Sequence, residues 1–218
     1  MISIQKKFLF IHVPKTGGNS IQNILRNYSE DDIVILSDHQ DGIERFEVRN
    51  KKYNINKHST ITDYKSQLGA RLYCSMFKFA TIRNPWDLMI SFYFSPHRKV
   101  TEWRRNEFIT LVNKIANLRH FICEKSLTER LFNHINFFAW KSKKPLDADI
   151  DFLMRFEHLE SDFKIVCEKL DIPFSPLPKR NASERKHYSV YYDDELIEMV
   201  GQKFHEEIQY GLYEFQKY

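Results

Sequence analysis

Blocks of apolar residues alternate with amphipathic stretches along this chain, and the alternation predicts strands followed by helices. Residues 8–13 (FLFIHV) are almost entirely apolar, as expected for a buried strand. Apolar positions then recur with helical spacing over 21–28, after a polar turn that contains two glycines. The same pattern predicts further strands at 33–36, 76–82 and 150–156, and helices at 61–69, 86–94, 127–140, 159–170 and 193–210.

Helix boundaries and irregular segments can also be predicted. Thr60 is a candidate N-cap, Pro85 suits the first position of the helix over 86–94, and Asp193 or Asp194 caps the closing helix. The stretch 39–57 is polar and irregular, the stretch 97–126 is basic and aromatic without strong strand signals, and 173–186 is a Pro-rich, basic loop.

Strands separated by helices imply parallel pairing through right-handed crossovers. The predicted fold is therefore α/β, a three-layer domain with a central parallel sheet, and 218 residues are most simply one domain spanning 1–218. In such sheets ligands bind at the carboxyl ends of the strands. The segments 14–20, 83–85 and 155–158 all fall there.

Composition narrows the class of protein. Hydrophobic content of 42% and charged content of 28% are ordinary for a globular protein, and a net charge of +4 permits an acidic ligand without indicating nucleic acid. The three cysteines are widely separated, so neither a disulfide framework nor a zinc site is indicated. No apolar run approaches a membrane span and no signal peptide is evident, so we expect a cytoplasmic protein.

The most informative segment is Pro-Lys-Thr-Gly-Gly-Asn-Ser at 14–20, between the first strand and the first helix. A strand, glycine turn and helix in this order aim backbone N–H groups and the positive end of a helix dipole at one point. Glycines let an anion approach closely, and Lys15 adds a positive charge. The segment predicts a site for an anion, most simply a phosphate. The structural alternative is a plain tight turn before a helix.

The order of residues argues against a nucleotide-triphosphate loop. That motif places Lys after the glycines and follows it with a hydroxyl that binds Mg²⁺, but here Lys15 precedes Gly17 and Gly18. The segment instead resembles the 5′-phosphosulfate loop of sulfotransferases that use 3′-phosphoadenosine 5′-phosphosulfate (PAPS), in the carbohydrate branch that includes heparan sulfate 2-O-sulfotransferases. The resemblance implies a P-loop-like sulfotransferase fold, with Lys15 stabilising the leaving group. It also implies that the 5′-phosphate is held by Lys15, Thr16, Gly17, Gly18, Asn19 and Ser20.

A second motif follows the strand at 76–82. Arg83-Asn84-Pro85-Trp86-Asp87 and the helix after it resemble the family's 3′-phosphate motif, R-N-P-x-D-R-x-x-S-x-Y. The resemblance implies that Arg83 and Ser91 contact the 3′-phosphate, and an Arg can fork two N–H donors onto such a group. Leu88 departs from the pattern, because Arg is usual there. An Arg at a helix start and a buried Ser would be the structural alternative.

Sulfuryl transfer to a hydroxyl also needs a base. His58 lies between the two phosphate motifs, where related glycan sulfotransferases carry a catalytic His before a helix, and His has a suitable pKa. A capping or surface role for His58 is an equal alternative. His12 is expected to be structural, while Asp38, His39 and Glu157 are rival bases.

The basic loop before the last helix resembles the segment that closes over the nucleotide in this family. Arg185 and Lys186 are the candidate 3′-phosphate contacts there, with a solvated charge run as the alternative. Phe156 is a candidate neighbour of the adenine, or a core aromatic. The basic residues of 97–105 suit an acidic glycan or a solvated face.

The sequence thus predicts a PAPS-dependent sulfotransferase that acts on a hydroxyl, most simply of a carbohydrate, without a metal. Two alternatives stay open: a kinase-like P-loop phosphotransferase, for which 34–38 mimics a Walker B strand, and a non-catalytic module that binds acidic glycans. The sequence leaves the acceptor and the oligomeric state undetermined.

Overall fold

The computed structural model describes residues 1–39, 44–125, 144–178 and 185–217. In these ranges the strands are β1 Ile2–Ser3, β2 Phe8–Ile11, β3 Asp32–His39, β4 Glu44–Asn50, β5 Ile55–Asn56, β6 Phe77–Ile82 and β7 Phe152–Arg155. The α-helices are α1 Gly18–Leu25, α2 Ile61–Leu68, α3 Ala70–Cys74, α4 Pro85–Tyr93, α5 Arg105–Lys114, α6 Arg119–Ile122, α7 Leu159–Leu170, α8 Asp194–Lys203 and α9 His205–Gly211. Short 3₁₀ turns cover Pro96–Arg98, Phe156–His158 and Tyr188–Tyr191.

A four-stranded sheet forms the centre of the fold, in the order β1-β2-β6-β7. Strands β2, β6 and β7 run parallel, and only the short edge strand β1 is antiparallel. Their carboxyl ends therefore meet at one edge of the sheet, where the loops after β2, β6 and β7 are neighbours. The α/β class and the mostly parallel central sheet are confirmed.

Successive residues of β2 point to opposite faces of the sheet, and each face is covered by helices. Phe8 and Phe10 belong to one buried cluster, together with Ile21 of α1 and Phe163 of α7. Leu9 and Ile11 belong to the other, with residues of α2 and α6. Burial on both faces explains why this strand reads as a continuous apolar run.

Several predicted helix ends are confirmed. Thr60 caps α2 in a capping box with Asp63, and Gly69 follows the last residue of that helix. Pro85 is the first residue of α4, with the Asn84 side chain as its cap. The helix at 159–170 has the predicted bounds.

The strand predicted at 33–36 is confirmed, but its pairing and the stretch 39–57 were predicted wrongly. The apolar run 33–36 lies in β3, which pairs with β4 and β5 in a separate antiparallel sheet and not with β2. The stretch 39–57, expected to be irregular, contains β4 and β5. Strand β4 is rich in charged residues. Within it, Val48 is buried, and its neighbours in the chain are Glu47 and the exposed Arg49. Such alternation is typical of a half-buried strand, and its high charge content made it look like a loop.

The prediction of one closing helix also needs correction. The closing helix 193–210 is two helices, because buried Phe204 leaves helical geometry at φ −110° and ψ 29° between α8 and α9. Asp193 rather than Asp194 is the N-cap, and it accepts a hydrogen bond from the N–H of Leu196. The stretch 97–126 contains the helices α5 and α6. The helix predicted at 127–140 lies outside the described residues.

Candidate active site

The loop between β2 and α1 has the backbone of an anion site. Lys15 and Gly17 adopt left-handed conformations, with φ values of 66° and 84°. The first hydrogen bond of α1 runs from the N–H of Ser20 to the carbonyl of Gly17, at 3.0 Å. The N–H groups of Gly18 and Asn19 precede this bond and stand at the positive end of the helix dipole. The predicted strand, glycine turn and helix are therefore present at the carboxyl end of β2.

Both glycines of the loop are sterically required. A Cβ at Gly18 would lie 2.1 Å from the His12 ring, and a Cβ at Gly17 would lie 2.6 Å from the Leu159 side chain. Gly17 also needs its positive φ, which residues with a Cβ rarely adopt. His12 is buried beneath Gly18, and burial, together with the charges of His58 and Lys57, holds the pKa of His12 well below its usual range. This supports the expected structural role of His12.

The polar side chains of the loop have different surroundings. The hydroxyl of Thr16 is buried and donates to the carbonyl of Val13 at 2.9 Å, so it braces the loop from inside. Ser20 is buried on the first turn of α1, whereas Asn19 is partly exposed. Thr16 can therefore contribute its backbone N–H to an anion, but its hydroxyl hydrogen is already committed.

Arg83 joins the loops that follow β2 and β6. Its Nη1 donates to the Lys15 carbonyl at 2.6 Å and to the Ser91 hydroxyl at 3.4 Å. The register that pairs Ile82 with Arg155 also sets Arg83 beside Phe156, whose ring centroid lies 3.8 Å from the guanidinium carbon. Arg83 thus holds the carbonyl of a residue with left-handed backbone, while Phe156 covers its flat face.

Asp87 is the common partner of two arginines. One turn into α4 from Arg83, its Oδ2 accepts from Arg83 Nε at 2.8 Å and from Arg83 Nη2 at 2.5 Å. Its Oδ1 accepts from Arg185 Nη2, also at 2.5 Å. Burial alone would raise the pKa of Asp87, but the two guanidinium groups outweigh it and the pKa lies below its usual value. The Asp87 carboxylate therefore stays ionised and draws Arg185 onto α4.

These bonds limit what Arg83 can offer a ligand. Of its five N–H bonds, four are directed to Asp87, the Lys15 carbonyl or Ser91. A two-pronged contact of Arg83 with a phosphate would need one of these bonds to be exchanged. Arg185 donates from Nη2 to Oδ1 of Asp87. Lys186 is exposed, and its backbone N–H donates to the hydroxyl of Tyr191 at 3.2 Å.

Lys15 stands within this positive cluster. Its Nζ lies 3.4 Å from the hydroxyl of Ser95, just beyond α4. Burial, followed by the nearby charges of Arg83 and Arg185, lowers the pKa of the Lys15 ammonium to about 8. A group with such a pKa is cationic near neutral pH, and an approaching anion would stabilise the charge further.

His58 reaches the same edge of the sheet from the segment before α2. Its Nδ1 lies 3.1 Å from the backbone carbonyl oxygen of His12, at the end of β2. A carbonyl oxygen can only accept, so Nδ1 carries the hydrogen and Nε2 is the basic nitrogen of the neutral ring. The side chain is exposed, and its ring centroid lies 4.8 Å from that of His12. This hydrogen bond orients the His58 ring, and its role as the base stays a prediction.

The rival bases have other surroundings. Glu157 accepts from the N–H of Asn84 at 2.7 Å and from the hydroxyl of Tyr213 at 2.9 Å, so both of its oxygens support neighbouring segments. Asp38 and His39 lie on β3. This strand belongs to the antiparallel sheet and not to the four-stranded sheet that contains β2, the strand before the loop at 14–17. Neither observation favours these residues over His58.

Two residues of the site were not assigned from the sequence. Asp87 had a readable signal, because an acid four residues after an Arg at a helix start can pair with it. Ser95 had none, since its contact with Lys15 joins segments that are far apart in the chain. Only the packing of α4 against the loop between β2 and α1 brings the side chains of Lys15 and Ser95 together.

Within the described ranges, no helix is long and apolar enough to cross a membrane, and no group of three or more His, Cys, Asp or Glu side chains could hold a metal ion.

Comparison with known proteins agrees with this geometry. No curated protein and no solved structure matches the chain. The model of the family described as "Sulfotransferase family" matches residues 1–216, which include every site residue considered above. On this match, the chain belongs to the sulfotransferase family.

Proposed function

We propose that this protein transfers a sulfuryl group from PAPS to a hydroxyl of an acceptor, with a carbohydrate as the acceptor class to test first. The observation that carries the proposal is the charge at the phosphate loop. Lys15, Arg83 and Arg185 converge there, and Asp87 accepts hydrogen bonds from both arginines. A partly buried excess of positive charge favours an anionic ligand.

The residues present fit PAPS, which supplies the sulfuryl group when bound. The Gly18 and Asn19 N–H groups and Lys15 suit the 5′-phosphosulfate, and Ser91 with Arg185 would offer hydrogen bonds to the 3′-phosphate. Arg83 would position Lys15 through its hydrogen bond to the Lys15 carbonyl. It would contact the 3′-phosphate with any N–H that is released from Asp87. Phe156 covers Arg83 and is a candidate neighbour of the adenine.

The roles of Lys15 and His58 follow from the charge changes of the reaction. As the acceptor oxygen bonds to sulfur, its proton passes to Nε2 of His58, and the bond from sulfur to the phosphate oxygen breaks. The electron pair of that bond stays on the phosphate oxygen, where the Lys15 ammonium stabilises the negative charge. Both side chains are attached to the carboxyl end of β2, Lys15 directly and His58 through the His12 carbonyl.

Two observations disfavour the alternatives. A kinase would need the Asp of the Walker-B-like segment 34–38 beside the phosphate loop, but that segment lies in the separate sheet. A glycan-binding module would use the basic stretch 97–105, but Arg104 pairs with Glu102 and Glu107. Arg105 likewise pairs with Asp193 and Glu195.

Thermal unfolding with different nucleotides tests the donor. Adenosine 3′,5′-bisphosphate, the product of PAPS, should raise the melting temperature strongly, because it presents both phosphates to the cationic cluster. Binding to the folded state alone contributes about 2.7 kcal/mol at a ligand concentration one hundred times Kd. ADP and ATP should produce much smaller shifts, with or without Mg²⁺. A large Mg²⁺-dependent shift with ATP and none with the bisphosphate would refute the proposal and favour the kinase.

A double-mutant cycle tests whether Asp87 positions Arg185 for the donor. Arg185→Ala and Asp87→Asn should each weaken binding of adenosine 3′,5′-bisphosphate by about tenfold, which is 1.4 kcal/mol. The double variant should be little worse than either, because both changes remove the same oriented guanidinium. Titration calorimetry with the bisphosphate and with adenosine 5′-phosphate isolates the 3′-phosphate contribution.

The surface pair Arg105 and Asp193, joined at 2.8 Å, is the matched control and should leave both affinities unchanged. Strictly additive losses for Arg185 and Asp87, or tighter binding by Asp87→Asn, would contradict the positioning role.

A further inference from the structure

The segment after α9, residues 212–217, has no helix or strand and is called the strap below. It lies against the first turn of α4, where the ring of Phe215 meets the Trp86 ring edge-on at a centroid distance of 5.6 Å. Trp86 is also held by α8, since its indole N–H donates to the carbonyl of Ile197 at 3.1 Å. The strap therefore packs on the residue that directly precedes Asp87 in the chain.

A second contact connects the strap to the start of α4 through Glu157. The hydroxyl of Tyr213 donates to Oε2 of Glu157 at 2.9 Å, and Oε1 of Glu157 accepts from the backbone N–H of Asn84 at 2.7 Å. Burial, together with the charge of Glu157, raises the pKa of Tyr213, so its hydroxyl stays protonated and donates. The Tyr213 ring lies against Gly211, where a Cβ would come within 2.1 Å of it. The strap thus supports Asn84, the N-cap of α4 and the residue that follows Arg83.

The strap also contacts the segment 185–192, which begins with the second arginine of the site. Phe215 makes edge-to-face contacts with the rings of Tyr188 and Tyr192, at centroid distances of 5.4 and 5.5 Å. The backbone N–H of Gln216 donates to the hydroxyl of Tyr188 at 3.0 Å. Phe215 therefore packs against both segments that supply candidate contacts for the 3′-phosphate.

We propose that Phe215 and Tyr213 are positioning residues for the donor, because they fix α4 and Arg185 relative to each other and thereby set the affinity for the 3′-phosphate. The inference deepens the proposed function and rests on it. Asp87 and Arg185 belong to separate segments, so their contact at 2.5 Å requires that these segments keep a fixed separation. Phe215 supplies this constraint, because a ring packed against both segments prevents either from shifting without loss of contacts.

Titration calorimetry with adenosine 3′,5′-bisphosphate and with adenosine 5′-phosphate tests the inference on the full chain. Phe215→Ala should weaken binding of the bisphosphate by about tenfold, which is 1.4 kcal/mol, because the guanidinium of Arg185 is no longer held in one position. Binding of adenosine 5′-phosphate, which lacks the 3′-phosphate, should stay unchanged. In an Arg185→Ala background, Phe215→Ala should cost little further affinity, since both changes remove the same oriented group. Tyr213→Phe, which removes one hydrogen bond and keeps the ring, should produce the same selective loss at about threefold.

Tyr210→Phe is the matched control, because the Tyr210 hydroxyl also bonds to a carboxylate, that of Asp147, and lies outside the strap. It should leave both affinities unchanged. The melting temperature of each variant reports whether it folds, and Tyr213→Phe carries the test if Phe215→Ala does not fold. Equal losses for the two nucleotides, no loss in either strap variant, or a full further loss in the Arg185→Ala background would overturn the inference. If the wild type still binds the bisphosphate, only the positioning role has failed, whereas a wild type that does not bind it refutes the proposed function.

Discussion

Replacing His58 by alanine is expected to lower turnover by roughly 10² to 10⁴-fold, the range typical for loss of a positioned general base. Its Nδ1 is hydrogen-bonded to the carbonyl oxygen of His12, which assigns the role of proton acceptor to Nε2 in this proposal. Affinity for adenosine 3′,5′-bisphosphate should stay nearly unchanged, because the cationic cluster that favours the nucleotide does not include His58.

Radiolabelled sulfate transfer from PAPS to a panel of sugars, glycans, phenols and lipids measures the loss, and added imidazole should restore part of it. The exposed His205 provides the control, since His205→Ala should retain full turnover. If His58→Ala loses nucleotide affinity while the bound complex still turns over, His58 is a binding or structural residue.

Replacing Lys15 by alanine is expected to lower kcat by about 10²-fold or more, on the scale of losing one preorganised electrostatic donor. The ammonium is held beside Ser95, and Lys15 belongs to the loop that precedes α1, where we expect negative charge to develop on the leaving oxygen. Lys169→Ala, which removes an exposed lysine of α7, is the control and should leave kcat unchanged. Near-normal turnover by a folded Lys15→Ala protein would eliminate the role.

The titration of Lys15 adds a pH dependence to donor binding. Its pKa of about 8 in the free protein should rise when a phosphate binds, because the anion stabilises the ammonium. Affinity for the bisphosphate should therefore fall as pH rises through 8, where binding begins to require proton uptake. Lys15→Arg should remove this fall, since an Arg remains charged. A wild-type affinity that is flat from pH 7 to 9 would contradict the assignment.

Local signals in the sequence were sufficient for much of the fold. The glycine turn at 14–20, the cap at Thr60 and the bounds of α7 depend on a few neighbouring residues, so they could be predicted without knowing the rest of the chain. The separate sheet could not, because a short apolar run such as 33–36 suits a buried parallel strand and a hairpin strand equally. Which partner it takes depends on β4, whose charged residues concealed a strand.

The sequence by itself determined that a glycine turn with Lys15 follows the strand now labelled β2, and that Arg83 and Ser91 follow β6. Those features depend on residue type and short spacing. Only the tertiary structure decided what the side chains do to one another: that Arg83 is occupied by Asp87 and the Lys15 carbonyl, and that Arg185 docks on Asp87. The physical reason is that hydrogen bonds and burial depend on distances across the fold, and the order β1-β2-β6-β7 sets those distances.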